Sequence, residues 1–229
     1  MSRLRFVPVF LLAFVLMATG ALRATAQDAT PTAVDVSTAD EDAVVAWGQW
    51  AFSFPTAVSP LADTSGAACG LGQQGDTFYL APSAVGAGAI TRACTILEGT
   101  SVVVPVIAVD CSTAEADPFH GDDADSLASC AKKNADAITD GHASVDDTDV
   151  ADIASHRVQS PVFGVILPEG NVLNATAGAT SMVVDGAFIT VEGLDAGSHT
   201  ISFGGTYESG GAIDITYNIT VVAAPVASS

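Results

Sequence analysis

Basic residues are scarce in this sequence, which has seven Lys and Arg against 26 Asp and Glu and a formal net charge of −19. Such a charge repels the phosphate backbone of nucleic acids and the surface of anionic membranes, so we expect neither as a partner. An acidic surface more often keeps a protein soluble, in salty or acidic surroundings, than it binds one specific cation. The charge therefore narrows the range of partners and leaves the ligand unknown.

Long hydrophobic runs are also missing. The apolar stretch at residues 6–17 is shorter than the roughly 20 residues that a membrane-spanning helix needs. It follows Arg3 and Arg5 and leads to Ala24-Thr25-Ala26, which is the pattern of a secretory signal and its cleavage site. We therefore predict a signal peptide at residues 1–26 and a secreted, extracellular protein. Residues 223–229 contain no hydrophobic anchor, so we expect no stable membrane insertion after signal removal.

Cysteine is limited to Cys69, Cys94, Cys111 and Cys130. None of their spacings is the C-x-x-C of a zinc site or a redox motif. In an exported chain, structural disulfide bonds are the expected use of these residues. Four cysteines allow three pairings, and the sequence alone does not choose among them.

Recognisable catalytic and cofactor motifs are absent as well. The sequence has no G-x-S-x-G, H-E-x-x-H or S-x-x-K pattern, and no His has a recognisable partner spacing. Residues 70–75 spell G-x-G-x-x-G, but nucleotide binding needs a strand before this motif and a helix after it, whereas here a loop precedes and a strand follows. We therefore predict no cofactor, and we interpret His199, which lies in a turn entering a strand, as structural. A carboxylate pair for hydrolysis stays open, because 26 acids make some close pair inevitable.

The N-terminal part of the chain predicts one short helix after a flexible leader at residues 27–39. Thr38 and Glu41 have the spacing of a capping box, and the apolar residues that follow, including Trp47 and Trp50, would face the core. Pro55 would end the helix.

Most of the remaining chain predicts short strands. We expect them at residues 77–80, 90–95, 101–110, 143–145, 157–159, 162–167, 181–184, 187–191, 200–203 and 213–222, the last with strict alternation. Pro105 indicates a bulge or an edge position, and Asp185-Gly186 suits a two-residue hairpin turn. Residues 112–142 look like an insertion with a short helix around residues 124–133. The expected fold is all-β: an antiparallel β-sandwich or jelly roll at residues 40–224, with a short N-terminal helix, a small helical insertion and a tail at 225–229.

Two acidic clusters offer the oxygen ligands that calcium prefers, although neither matches an EF-hand loop. They are Asp117, Asp122, Asp123 and Asp125 in one loop, and Asp146, Asp147, Asp149 and Asp152 in another.

Taken together, these residues resemble a family of uncharacterised bacterial secreted proteins. The resemblance spans Trp47 to Val221 and is carried by Trp47-x-x-Trp50, Pro60-Leu-x-Asp63-x-x-Gly66, Arg92-x-Cys94, Ser160-Pro-x-Phe163, Asp185-Gly186 and Leu194-x-x-Gly197-x-His199-x-Ile201-x-Phe203-x-Gly205. It implies a β-sandwich with a helical insertion and supplies no activity. Where the family places Tyr-Trp after Asp-Gly, this chain has Ala187-Phe188, so an aromatic ligand platform is not expected there. The family pattern and sequence proximity together imply bridges Cys69–Cys94 and Cys111–Cys130.

The function that these observations favour is a secreted or cell-surface binding or structural module, without catalytic activity and with an unknown extracellular ligand. One alternative is a secreted hydrolase that acts on extracellular polymer through surface carboxylates. A second alternative is a calcium-binding β-sandwich module.

Overall fold

The computed structural model describes residues 33–84 and 88–224. The predicted signal peptide at 1–26, the first residues of the predicted leader and the tail at 225–229 lie outside this part of the chain. The described residues form a mostly β structure with two α-helices. The helices are α1 Glu41–Ala51 and α2 Ala124–Ala135, and the strands are β1 Asp35–Thr38, β2 Thr77–Tyr79, β3 Ala89–Leu97, β4 Ser101–Ser112, β5 Ile138–Val145, β6 Thr148–Asp149, β7 Arg157–Gln159, β8 Phe163–Leu167, β9 Gly178–Glu192, β10 Gly197–Tyr207 and β11 Ala212–Val222.

The strands form two mixed sheets. The first has the order β1-β9-β4-β2, with β7 and β8 also paired to the long strand β9, and the second has the order β3-β11-β10-β5-β6. Most pairs are antiparallel, but β2 runs parallel to β4 and β3 runs parallel to β11. The expectation of purely antiparallel pairing was therefore wrong. Turn residues in the sequence indicate tight connections, which join antiparallel strands. The two parallel pairs, β2 with β4 and β3 with β11, are not joined by a tight turn, so no turn residue could indicate them.

Side chains of both sheets meet in one apolar cluster. Val104 of β4 and Ile189 of β9 lie in it together with Ile201 of β10 and Ile215 of β11. The alternation predicted for β11 is confirmed: Ile215, Tyr217, Ile219 and Val221 are buried, whereas Asp214, Asn218 and Thr220 are exposed. A second cluster lies on the other face of the first sheet, where α1 packs against β8 and β9.

Helix α1 forms as predicted but begins differently. Asp40 is its N-cap, because its Oδ1 accepts a 2.7 Å hydrogen bond from the backbone N–H of Ala43. Thr38 instead belongs to β1, which pairs with the end of β9, and its hydroxyl lies 2.8 Å from Nδ1 of His156. Residues 35–38 of the predicted leader are thus a paired strand, and the capping box at Thr38 was wrong.

The insertion contains the predicted helix and one predicted disulfide bond. Asp123 and Ser126 form a capping box at the start of α2, and Cys111–Cys130 ties the helix to β4. Strand β5 already begins at Ile138, so the insertion ends before residue 142. The other bridge, Cys69–Cys94, is also as predicted and joins a loop to β3.

Asp185 and Gly186 do not form the predicted hairpin turn. They lie in the middle of β9, whose 15 residues continue without interruption through both predicted strands. A Cβ on Gly186 would lie 2.3 Å from the carbonyl oxygen of Ile107, so glycine here allows β4 to approach closely. The predicted irregularity at Pro105 is a bulge, since the pairing of β4 with β9 shifts between Pro105 and Ile107.

Candidate functional site

Two carboxyl groups meet where β4 ends. Asp110 lies near the C-terminal end of β4, and Glu115 lies in the loop that follows the strand. Ser112 holds that loop, because its hydroxyl donates to Oε2 of Glu115 (2.9 Å) and accepts from the backbone N–H of Glu115 (3.2 Å). The Asp110 and Glu115 side chains are hydrogen-bonded to each other. Such a bond requires that one of the two carboxyl groups carries a proton.

Burial decides how this pair titrates. It raises the pKa of Asp110 to about 6, although the hydrogen bond from Glu115 acts in the opposite direction. Burial and the nearby charge of Asp110 raise the pKa of Glu115 to about 8. At neutral pH the pair therefore shares one proton and carries one negative charge.

The negative charge of the pair lacks a cationic partner among the described residues. Oδ2 of Asp110 is buried and accepts no hydrogen bond from any N–H or hydroxyl group. None of the ion pairs in residues 33–84 and 88–224 involves Asp110 or Glu115. Buried carboxylates are usually paired, so this one is unusual.

Asp110 lines a cavity of about 160 Å³ whose other walls are mainly apolar. Trp47 and Phe52 contribute from α1 and its C-terminus, Leu173 from the loop before β9, and Tyr207 from the end of β10. The phenol of Tyr207 donates to the carbonyl of Ala108 (3.1 Å), and burial together with the charge of Asp110 raises its pKa to about 12. The cavity therefore combines aromatic walls with one carboxylate.

Trp47 is a fixed part of this wall. Its indole Nε1 donates to the carbonyl of Leu80 (2.9 Å), and its ring packs edge-on against Phe188 and Phe52. The other tryptophan, Trp50, lies outside the cavity lining and donates to the carbonyl of Leu71 (2.8 Å). The two indoles thus occupy different environments.

A larger groove of about 410 Å³ is less suited to recognition. It is lined by small residues between Thr56 and Leu71, and Asp63 is its only carboxylate. That carboxylate already accepts hydrogen bonds from the backbone of Ser65 and Ala68. These bonds lower the pKa of Asp63 against the opposing effect of burial. The only carboxylate of the groove therefore serves to hold its own loop.

His199 is held at both ring nitrogens. Nδ1 lies 2.7 Å from Oδ2 of Asp146, and Nε2 lies 2.9 Å from the carbonyl oxygen of Asp195. Burial would lower the pKa of His199, but these contacts outweigh it and raise the pKa. A ring with both nitrogens engaged is poorly placed to activate a nucleophile, which supports the structural interpretation of this residue.

The calcium candidates are spread over separate local roles. In the first cluster, Asp122 contacts His120 and Asp123 caps α2. In the second, Asp146 binds His199, and Asp147 and Asp152 occupy left-handed turn positions. Within the described part of the chain, no three His, Cys, Asp or Glu side chains converge as metal ligands would. The remaining candidates, Asp117, Asp125 and Asp149, therefore do not complete a metal site in either cluster.

The sequence analysis missed Asp110, Glu115 and the Arg157–Asp185 pair. Arg157 binds Asp185 through Nε (2.7 Å) and Nη2 (2.9 Å) and binds Asp136 of the α2 C-terminus through Nη1 (2.7 Å), which fastens the helix to β9. One signal could have indicated Asp110: it follows an apolar, β-branched run, where an acid has few ways to reach water. Nothing in the sequence placed Glu115 or Tyr207 beside it.

Comparisons with known proteins found no family model, curated protein or solved structure that matches the chain. Among the described residues, neither helix is long and apolar enough to cross a membrane.

Proposed function

We propose that this chain is a secreted, non-catalytic β-sandwich module that binds a small ligand in the cavity beside Asp110. The shared core of the two sheets supports the sandwich, with each sheet as one layer. The two disulfide bonds and the predicted signal peptide support export to an oxidising compartment.

The observation that carries the proposal is the carboxylate without a cationic partner in an aromatic cavity. Ligand sites in proteins are mostly apolar pockets with a few polar groups that fix the orientation of the ligand. The cavity beside Asp110 has this composition, and the carboxylate in its wall has no cationic partner among the described residues. The structural carboxylate of Asp185, by contrast, is neutralised by the guanidinium of Arg157.

A hydrolase is the second candidate, because two convergent carboxyl groups can act as acid and base near neutral pH. Their direct contact argues against glycoside hydrolysis, which needs carboxyl groups about 5–10 Å apart with the sugar oxygen or a water between them. Hydrolysis of a chromogenic ester or glycoside that Glu115→Gln abolishes would favour this candidate.

The binding function is tested by screening a library of small molecules against the purified chain with ¹H–¹⁵N NMR. The chain has two Trp residues, so two indole N–H signals report on it. Ligands of the cavity should shift the Trp47 signal and leave the Trp50 signal in place. Leu173→Trp, which fills the cavity, should abolish the shift, whereas Ile166→Trp at an exposed position of β8 should not. A library without any hit of this behaviour would contradict the proposal.

Export is tested separately. The intact mass of protein recovered from the culture medium should correspond to a chain that begins at Gln27. Recovery of the full-length chain in the membrane fraction would contradict secretion.

A further inference from the structure

The charge of the cavity indicates what kind of ligand it takes. Asp110 and Glu115 together carry one negative charge when they share one proton in a hydrogen bond, and that charge lies beside the cavity without a cationic partner among the described residues. Elsewhere in the described chain, the buried carboxylate of Asp185 has Arg157 as its partner. A bound cation would supply for Asp110 what Arg157 supplies for Asp185.

The aromatic walls favour an organic cation. The polar atoms of Trp47 and Tyr207 already donate to the carbonyls of Leu80 and Ala108, so these residues offer a ligand mainly their rings. Aromatic rings attract ammonium groups, and the attraction is stronger where water is excluded. A metal ion is a poorer fit, because calcium takes six to eight oxygen ligands and no third carboxylate or His joins the pair.

The size of the cavity limits the cation. Its volume of about 160 Å³ is close to that of a protein cavity of roughly 150 Å³ that binds benzene. A ligand with a few carbon atoms around one ammonium group fits this space.

We propose that the cavity binds a small monovalent alkylammonium ion, whose nitrogen pairs with Asp110 and whose carbon atoms contact Trp47, Phe52 and Tyr207. This inference rests on the proposed binding function and names its ligand class. Binding should strengthen as pH rises from 5 to 7, because Asp110 becomes ionised over that interval.

The test compares three probes of nearly the same shape: tert-butylammonium, tert-butanol and pivalate, which differ in charge. Each is titrated into the full chain at pH 7 while the two indole N–H signals are followed. We expect tert-butylammonium to shift the Trp47 signal and to saturate, with at least tenfold weaker effects from the other two probes. The Trp50 signal, outside the cavity, controls for loose attraction of cations to the acidic surface.

Two variants complete the test. Asp110→Asn keeps the shape of the side chain and its contact with Glu115, so it should fold, yet it should weaken tert-butylammonium binding at least tenfold. Asp149→Asn removes one exposed charge far along the sequence, in β6, and should change the affinity less than twofold. Equal losses in both variants would show that only the overall charge attracts the cation and would overturn the inference.

The outcomes separate the ligand class from the binding function. Binding of tert-butanol as strong as that of tert-butylammonium, abolished by Leu173→Trp, would overturn the cation inference and leave the cavity as a binding site. If none of the three probes shifts the Trp47 signal, the inference is overturned too. The library screen alone would then decide whether the cavity binds a ligand.

Discussion

At Gly186 the backbone of β4 approaches β9 closely. A Cβ at this position would lie 2.3 Å from the carbonyl oxygen of Ile107 and 2.4 Å from Cα of Ala108, so the backbone of β4 would have to move. We expect Gly186→Ala to lower the free energy of unfolding by about 2–3 kcal/mol, as other overpacking substitutions do. Urea denaturation measures this loss.

Gly164 provides the matched control for Gly186. It lies in β8 of the same sheet, it is exposed, and a Cβ there would meet nothing within 4 Å. Gly164→Ala should change stability by less than about 0.5 kcal/mol. Similar losses in the two variants would mean that strand glycines are generally required and that the contact with β4 is not the cause.

At the scale of one element, β11 allows burial to be separated from local sequence. Ile215 is fully buried between the sheets, whereas the neighbouring Thr216 points to the other face, where its hydroxyl lies 3.1 Å from that of Ser202. Ile215→Asp would place an unpaired charge in the core and should cost several kcal/mol out of a total stability of roughly 5–15 kcal/mol. Thr216→Asp should cost about 1 kcal/mol or less. Denaturant unfolding of both variants gives the comparison, and equal losses would contradict the assignment of the two faces.

Local patterns in the sequence were sufficient for elements whose cause is local. The apolar period of α1, the short helix of the insertion and the alternation of β11 each depend on residues within one segment, and each element forms where it was expected. The hairpin turn predicted at Asp185-Gly186 was wrong, because this dipeptide, which suits a tight turn, lies here within β9 and makes two contacts with residues distant in the sequence. Asp185 binds Arg157, and Gly186 accommodates β4. Sequence spacing does not report such contacts.

At the scale of the whole molecule, the candidate site could not have been derived from a motif. Its cavity is lined from α1, β4, the loop before β9 and the end of β10, so Trp47, Asp110, Leu173 and Tyr207 come together only when both sheets and the helix have packed. The number of acids in the sequence made a close carboxyl pair expected, but only the folded structure shows that Asp110 and Glu115 form it and that burial raises the pKa of both. The sequence therefore predicted the fold class better than the site.

Several buried groups should make the whole molecule most stable at mildly acidic pH. The pKa of Asp110 rises from 3.8 to about 6 and that of Glu115 from 4.5 to about 8, so between about pH 4 and pH 8 the folded chain holds more protons than the unfolded chain. Stability must therefore fall as pH rises through this window. His199 acts in the same direction, because its raised pKa gives stability that is complete below pH 6.5 and is lost above it. The lowered pKa of Asp63 acts only in more acidic solution, where its contribution is lost as pH falls below 3.8.

Urea denaturation between pH 4.5 and pH 8.5 tests this expectation at constant ionic strength, which keeps the repulsion among the surface acids screened. We expect the free energy of unfolding to fall by about 2–3 kcal/mol over this range. This is less than the raised pKa values of Asp110 and Glu115 imply, because Glu115 is only partly buried and water screens its charge. Glu115→Gln removes the group with the highest raised pKa of the pair and can still donate a hydrogen bond to Asp110, so its stability should depend much less on pH above 6. His199→Gln, the matched control at the other titrating site, should keep most of the decline. A stability that rises between pH 5 and pH 7.5, or a Glu115→Gln curve with the original slope, would show that Asp110 and Glu115 do not share a proton in the folded chain.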